Sequence, residues 1–321
     1  MKFQYLTAIC ILTLLTLSSC DESFNPKGGY TEKYVLNCVL RGDTSYQVAI
    51  LTHSYNVDGY DPYTNVTDPA IAGADIRLWY NDSVFVFRDS VVDRIGETRY
   101  SDSLKIYYLK NLNLLYNKPV EIEALLPNGR RLSSATMTSK EIMFDDKNSS
   151  KVIPPVNTSL VQVLWDNNSE TAYYLPRFKV TWYRTVNGQS EMHVMEIPLR
   201  YNQEGDQYVP VYPNPSFQTS VFYDPESIKR ALESISGGDP DKNNYSVHIN
   251  NQIEIFGLDE NLVRYYSANI QDNNFTVRLD ETDYSNINGG FGVFGSYVIK
   301  NYDIRFNADF LTELGYNPIY N

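Results

Sequence analysis

A glycine-rich segment near the end of the chain matches a cofactor-binding motif. Gly290-Phe-Gly-Val-Phe-Gly295 fits the pattern G-x-G-x-x-G, in which glycines let a backbone approach the phosphates of a dinucleotide. That chemistry requires a strand before the glycines and a helix after them. Here the polar segment 283–289 precedes them and a strand pattern follows. We therefore interpret the glycines as a turn or bulge at which two backbones pass closely, not as a nucleotide site.

Metal-ligating residue types are present, but their spacing matches no established metal motif. The histidines are too far apart for a zinc motif: His53, His193 and His248. Asp239–Asn243 begins like a calcium loop, but Asn244 and Asn250 replace the glycine and the glutamate that an EF-hand needs. The oxygen-rich loop 58–68 predicts either an incidental calcium site or a solvated turn. We predict no resident metal and no cofactor other than a covalent lipid, described next.

The chain begins with a segment that predicts lipid attachment at Cys20. Lys2 is followed by an apolar run from Phe3 to Leu17 and then by Ser18-Ser19-Cys20. A short positive region, an apolar region and small residues at the cleavage site are typical of a secretory signal. The cysteine after Leu-Ser-Ser resembles a bacterial lipobox, in which the thiol is acylated and the cysteine becomes the new N-terminus. The alternative is an ordinary signal peptide with an incidental cysteine.

An acidic pair, Asp21-Glu22, follows the predicted acylated cysteine. It resembles the export signal that sends lipoproteins of Bacteroidota to the cell surface, although an acidic, solvated tether would have the same composition. We predict a signal peptide over 1–19 and an acylated tether over 20–32, because the latter has no periodic apolar pattern. The expected location is the outer membrane, with the protein facing the cell exterior.

The composition excludes some partners and favours β-structure. The formal net charge of −12 argues against nucleic acid and against anionic lipid surfaces. Removal of Cys10 with the signal and acylation of Cys20 would leave Cys38 without a disulfide partner, and an alternating pattern around it predicts a buried core thiol. With 27 tyrosines, the chain favours strands.

Short alternating segments predict a mainly β fold in two domains. Seven candidate strands within 33–143 indicate a sandwich of immunoglobulin or transthyretin type, and Asn128-Gly129 predicts a hairpin turn. The polar segment 144–157, which contains Pro154-Pro155, predicts a linker. A larger β-rich domain with two or three short helices is expected over 158–321. One helix should begin after Asp224-Pro225 and end before Gly237-Gly238, and another should run from about 259 to 270.

Several landmarks together resemble the DUF4249 family of Bacteroidota outer-membrane lipoproteins. In chain order they are Cys20, Tyr34–Leu40, Gln47–Ser54, Ile71–Leu78, Pro127–Gly129, Val263–Tyr266 and Ser285–Gly295. The late Asn-Ile…Gly-x-Phe-Gly segment is the most specific of these, and the similarity spans most of the chain. Members of the family have no established activity but are often encoded beside TonB-dependent receptors. The resemblance therefore implies an accessory role at an outer-membrane β-barrel transporter.

The function that we expect is non-enzymatic nutrient capture at such a transporter. Tyr55, Tyr60 and Tyr63 share one polar loop and are candidate contacts for a glycan or peptide ligand, because a tyrosine offers a stacking face and a hydroxyl. The alternative from another class is a structural or assembly subunit of an outer-membrane protein machine. A third hypothesis is a hydrolase among the 39 acidic residues, although no G-x-S-x-G motif is present.

Overall fold

The fold is mainly β, as the alternating sequence patterns predict. The computed structural model describes residues 29–96, 98–100, 103–166, 172–269 and 284–320. The strands of the first half are β1 (Tyr34–Arg41), β2 (Gln47–His53), β3 (Asp75–Tyr80), β4 (Ser83–Val86), β5 (Arg88–Val92), β6 (Leu104–Leu109), β7 (Pro119–Leu125), β8 (Arg131–Met137), β9 (Met143–Phe144) and β10 (Val152–Ile153).

The second half adds short helices to further strands. Its elements are β11 (Val161–Asp166), β12 (Tyr173–Val186), β13 (Gln189–Ile197), β14 (Arg200–Glu204), β15 (Gln207–Val211), β16 (Ser220–Tyr223), α1 (Pro225–Glu233), β17 (Tyr245–His248), β18 (Asn250–Leu258), α2 (Glu260–Asn269), β19 (Phe294–Phe306), α3 (Ala308–Glu313) and β20 (Asn317–Ile319). Within the part of the chain that the structure describes, no helix is long and apolar enough to cross a bilayer.

One large sheet joins both halves of the chain. Its strand order is β20-β17-β12-β18-β19-β1-β2-β6-β5, with β10 also paired to β19 and β13 to β12. The first strand and the long strand β19 run parallel, with Cys38 opposite Phe294. Residues 33–321 form one compact unit. The segment 144–157, predicted as a linker between domains, therefore does not divide the sheet.

The first hydrophobic cluster lies between two sheets, in a sandwich-like arrangement. Strands β3, β4, β7 and β8 form a second sheet, in the order β4-β3-β7-β8. Leu36 and Leu40 from β1 are fully buried with Ile76 from β3 and share a cluster with Ile122 from β7. Alternate residues of each strand point inward, so every second side chain enters the core, and most of these side chains are apolar. The predicted turn at Asn128-Gly129 is confirmed, with Gly129 at φ 82° between β7 and β8.

The second hydrophobic cluster lies on the inner faces of β12, β18 and β19. Phe178, Ile253 and Ile304 are buried there together with Ile228 of α1. The predicted start of α1 is confirmed: the Asp224 carboxylate accepts a hydrogen bond from the Glu226 backbone N–H at 3.1 Å. The members of the two clusters lie on opposite sides of the segment 144–157 in sequence, except for Ile142, Ile287 and Phe294, and the segment itself contributes Ile153 to the second cluster.

The glycine-rich segment serves close backbone packing, as the sequence predicts. A Cβ atom on Gly290 would lie 2.6 Å from the Tyr34 carbonyl oxygen, and one on Gly292 would lie 2.2 Å from that of Leu36. The strand β19 begins within this segment, so no helix follows that could receive a phosphate. The glycines let the chain pass against β1 where that strand pairs with β19.

Candidate functional site

The outward face of the large sheet presents side chains at its centre. Strands alternate their side chains, so Leu175, Phe256 and Tyr297 point away from the second hydrophobic cluster. Pairing places these residues side by side. Leu175 lies opposite Phe256 of β18, and Tyr297 lies opposite Leu258, which is two residues further along β18 on the same face. All three are partly buried rather than exposed. Something must therefore cover this part of the face.

The helix α2 and one loop partly cover it and border a half-open cavity of about 610 Å³. We call this the aromatic cavity. Its aromatic lining residues are Tyr212, Phe256, Tyr265, Tyr266 and Tyr297. The floor is formed by β1, β12, β18 and β19, one wall by α2, and another by the segment 212–215. A mostly apolar hollow of this size, with few polar groups, has the character of a small-ligand site.

Polar contacts occur at the rim of the aromatic cavity. The Arg177 Nε donates to Glu196 at 3.0 Å, and this hydrogen bond raises the pKa of the guanidinium. The Arg41 guanidinium lies 5.8 Å from the centre of the Tyr297 ring. Burial raises the pKa of the Tyr297 hydroxyl. The rim thus offers paired charges and neutral phenols rather than a free charge of one sign.

A second, more open hollow of about 810 Å³ continues along the same strands. We call it the polar trough. Lys179 Nζ lies 2.7 Å from the Glu254 carboxylate. The Gln252 amide donates to Asp303 at 2.8 Å and accepts from the Asn301 amide at 3.0 Å. These side chains form one ion pair and one hydrogen-bonded group on the sheet surface.

A buried carboxylate fixes the helix that forms the wall of the aromatic cavity. Asp259 precedes α2 and accepts hydrogen bonds from the Leu262 and Ser296 backbone N–H groups, both at 2.8 Å. It also accepts from the Thr136 hydroxyl at 2.5 Å. Burial raises the pKa of this carboxyl to about 6, against the effect of the three donors. Asp259 therefore ties α2 to β8 and β19.

A family model matches residues 21–303, under the description of a domain of unknown function, DUF4249. The chain belongs to the DUF4249 family. The match includes all residues that line the aromatic cavity and ends within β19, before Ile304 and Arg305 of the polar trough. A comparison with curated proteins gave no match.

The tyrosine loop predicted to contact a ligand lies elsewhere on this DUF4249 protein. Tyr55 and Tyr63 gather around Arg99, whose Nη2 donates to the Tyr55 hydroxyl at 2.7 Å and whose guanidinium lies 5.2 Å from the Tyr63 ring centre. Tyr60 and Tyr63 are 76% and 74% exposed. None of the predicted tyrosines, Tyr55, Tyr60 and Tyr63, lines either hollow on the sheet face. Their role as ligand contacts stays a prediction.

The remaining predicted residues have different outcomes. Cys20, Asp21 and Glu22 lie outside the described residues. Cys38 is buried as predicted, and burial raises the pKa of its thiol to about 12, so it is an unreactive core residue. Asp61, in the oxygen-rich loop, accepts a hydrogen bond from the Tyr63 backbone N–H at 2.8 Å and so caps a short turn. Across the described ranges, no group of three or more His, Cys, Asp or Glu side chains is placed to hold a metal ion.

Sequence reasoning did not find the aromatic cavity. Its signal was present in β18, where apolar residues occur on both faces: Ile253 and Ile255 point inward, and Phe256 and Leu258 follow directly. A strand with one solvated face would carry polar residues at alternate positions. The change to an apolar run at Phe256 marks where the outward face becomes covered.

Proposed function

We propose that this DUF4249 protein is a non-enzymatic, surface-exposed outer-membrane lipoprotein that captures a nutrient molecule for a TonB-dependent transporter. The observation that carries the proposal is the aromatic cavity. Its volume of about 610 Å³ lies within the roughly 300 to 1,000 Å³ that is usual for ligand sites. Exposed rings and a rim of paired charges suit reversible binding better than covalent chemistry, which needs an activated nucleophile.

The sequence supports the location that this role requires. The apolar run and Cys20 favour lipid anchoring, and Asp21-Glu22 favours export to the cell surface. The tether over 20–32 would hold the compact unit away from the membrane. A capture protein anchored beside a transporter raises the local concentration of the ligand at the barrel, because binding becomes effectively intramolecular.

The lipid anchor is tested by metabolic labelling with palmitate. Cys20→Ala should abolish incorporation of label and leave the signal segment uncleaved at the lipoprotein site. Cys10→Ala, a cysteine-to-alanine change in the same segment, should leave labelling intact. Label retained in Cys20→Ala would show that the lipobox interpretation is wrong.

The partner is tested by affinity purification of the tagged full-length protein from detergent-solubilised outer membranes. Recovery of a TonB-dependent receptor would support the proposal. Recovery of assembly or secretion components would favour the alternative, a structural subunit of an outer-membrane machine. The same purification from cells without the tagged protein is the control. If no barrel protein is enriched above that control, both interpretations fail.

A further inference from the structure

The aromatic cavity and the polar trough adjoin on the same strands. On β12, Arg177 lines the first and Lys179 the second, two residues apart on one face. On β18, Phe256 lines the aromatic cavity and Glu254 lines the polar trough, again two residues apart on one face. Residues two apart on a strand are separated by roughly 6.5 Å. The two hollows are therefore neighbouring sections of one surface rather than separate sites.

That surface is long compared with a compact ligand. It extends along β18 from Leu258 in the aromatic cavity to Asn250 in the polar trough. Eight residue steps in a strand correspond to roughly 26 Å. A ligand that used the whole surface would be elongated, with an apolar face at one end and many hydrogen-bonding groups along its length.

The charges on this surface favour a ligand without net charge. The charged residues that line the two hollows are the basic Lys151, Arg177, Lys179 and Arg305 and the acidic Glu196, Glu254 and Asp303. Arg177 pairs with Glu196, and Lys179 pairs with Glu254. A strongly anionic or cationic ligand bound at either pair would have to separate the two partners, which leaves one of them uncompensated. A polar but neutral ligand would not.

The position of the surface within the sheet disfavours an extended peptide. β18, at the centre of this surface, has paired neighbours on both sides from Gln252 to Leu258, and β12 and β19 have them over part of their length, so the backbone groups of the central strand are already hydrogen-bonded. Peptides that bind to sheets usually add a strand at a free edge. A peptide on this face would meet side chains alone, and its own N–H and C=O groups would lack a regular set of partners.

We infer that the aromatic cavity and the polar trough form one binding surface for a linear, neutral oligosaccharide. This inference rests on the proposed capture function and gives its ligand class. The aromatic rings would stack on the apolar face of one or two sugar units. The amides of Gln252 and Asn301, with the carboxylate of Asp303, would exchange their mutual hydrogen bonds for hydroxyl groups of the following units. Sheet faces bind oligosaccharides in this way in other β folds.

The test measures binding of the purified full-length protein, in detergent, to defined oligosaccharides. The probes are linear oligomers of glucose, xylose, mannose or galactose, each from two to six units, and the strongest binder is then titrated by calorimetry. We expect affinity to rise at least about tenfold from two units to five or six, because only the longer chains reach the polar trough. A tryptic digest of casein serves as the peptide probe.

Two substitutions locate the binding within the surface. Tyr266→Ala removes a ring that is 53% exposed and should weaken binding of every length about tenfold or more. Gln252→Ala with Asn301→Ala should weaken binding of the long oligomers about tenfold and leave the shortest unchanged. The matched controls are Tyr320→Ala, another exposed tyrosine, and Asn202→Ala with Gln203→Ala on the β14–β15 hairpin; both should bind as the unchanged protein does.

Several outcomes would overturn the inference of an oligosaccharide ligand and leave the proposed partnership with a transporter unaffected. These are no binding by any oligomer at millimolar concentration, equal affinity for all lengths, or capture of casein peptides in place of sugars. Loss of binding in Tyr60→Ala but not in Tyr266→Ala would move the site to the loop that contains Tyr55 and Tyr63. If a TonB-dependent receptor is recovered but no sugar binds, the capture function stands and the ligand class is wrong. If sugars bind but no receptor is recovered, the ligand class stands and the partnership with a TonB-dependent transporter is wrong.

Discussion

Asp259 is a buried carboxylate at the start of the helix that walls the aromatic cavity. All of its hydrogen-bond partners donate to it: the Leu262 and Ser296 backbone N–H groups and the Thr136 hydroxyl. Burial nevertheless raises its pKa from 3.8 to about 6. The folded protein therefore holds a proton on Asp259 between about pH 4 and 6, where the unfolded chain has lost it.

This difference predicts a stability that falls as the pH rises from 4 to 6. The contribution of protonated Asp259 is complete below pH 4 and is lost as the pH passes through about 6; a shift of this size corresponds to about 3 kcal/mol. Asp259→Asn should flatten the change in unfolding free energy between pH 4 and 7, measured by urea denaturation. The variant should also be less stable at every pH, because an amide nitrogen would face backbone donors.

The pH slope, not the absolute stability, is therefore the measurement that decides. Asp224→Asn is the matched control, since Asp224 also caps a helix but is only partly buried. It should leave the slope of the unchanged protein. If Asp259→Asn retains that slope as well, another group is responsible for it.

At the scale of elements, the glycine-rich segment decides whether β1 and β19 can pair. Gly292 has a φ of 111°, a backbone conformation that residues with a Cβ rarely adopt. A Cβ at this position would also lie 2.2 Å from the Leu36 carbonyl oxygen. The backbone itself is in the way, so a rotamer change cannot relieve the clash. Strain and overpacking act together at this position.

Gly292→Ala should accordingly lower the free energy of unfolding by about 3 kcal/mol or more. Gly129→Ala is the matched control, because Gly129 also has a positive φ, 82°, but its missing Cβ would meet open space. That change should cost about 1 kcal/mol, from backbone strain alone. Chemical denaturation of the two variants gives the comparison. Equal losses would mean that the close approach to Leu36 is unimportant.

The elements also show which parts of the structure local sequence patterns can predict. Alternation predicted β1, the Asn128-Gly129 dipeptide predicted its hairpin turn, and Asp224-Pro225 predicted the start of α1, because each of these depends on neighbours within a few residues. The pairing of Cys38 with Phe294 joins residues that are far apart in sequence, so no local pattern contains it.

The same reason applies to the site. The aromatic cavity takes residues from β1, β12, β18, β19, α2 and the segment 212–215, which are adjacent only after folding. The sequence predicts a ligand contact at the tyrosine loop because Tyr55, Tyr60 and Tyr63 are close in sequence. Structure does bring Tyr55 and Tyr63 together, around Arg99, but that contact concerns one loop and the segment beside it.

At the scale of the whole molecule, two hydrophobic clusters share one sheet. Leu36 belongs to the first cluster and Ile253 to the second, yet β1 and β18 both pair with β19. A strand that is hydrogen-bonded on both sides transmits the loss of one cluster to the other. The carboxylate of Asp259 adds a second connection, from β8 to α2 and β19.

We therefore expect residues 33–321 to unfold in one transition rather than as two domains on either side of 144–157. Leu36→Ala and Ile253→Ala each remove a fully buried side chain and should each lower the free energy of unfolding by about 3 kcal/mol. In protein that retains only Trp79, on β3, or only Trp165, on β11, fluorescence reports on each side separately. Either alanine change should move both tryptophan midpoints in denaturant together. If Leu36→Ala shifts the Trp79 midpoint and leaves the Trp165 midpoint in place, the shared sheet does not couple the two clusters, and 144–157 is a domain boundary after all.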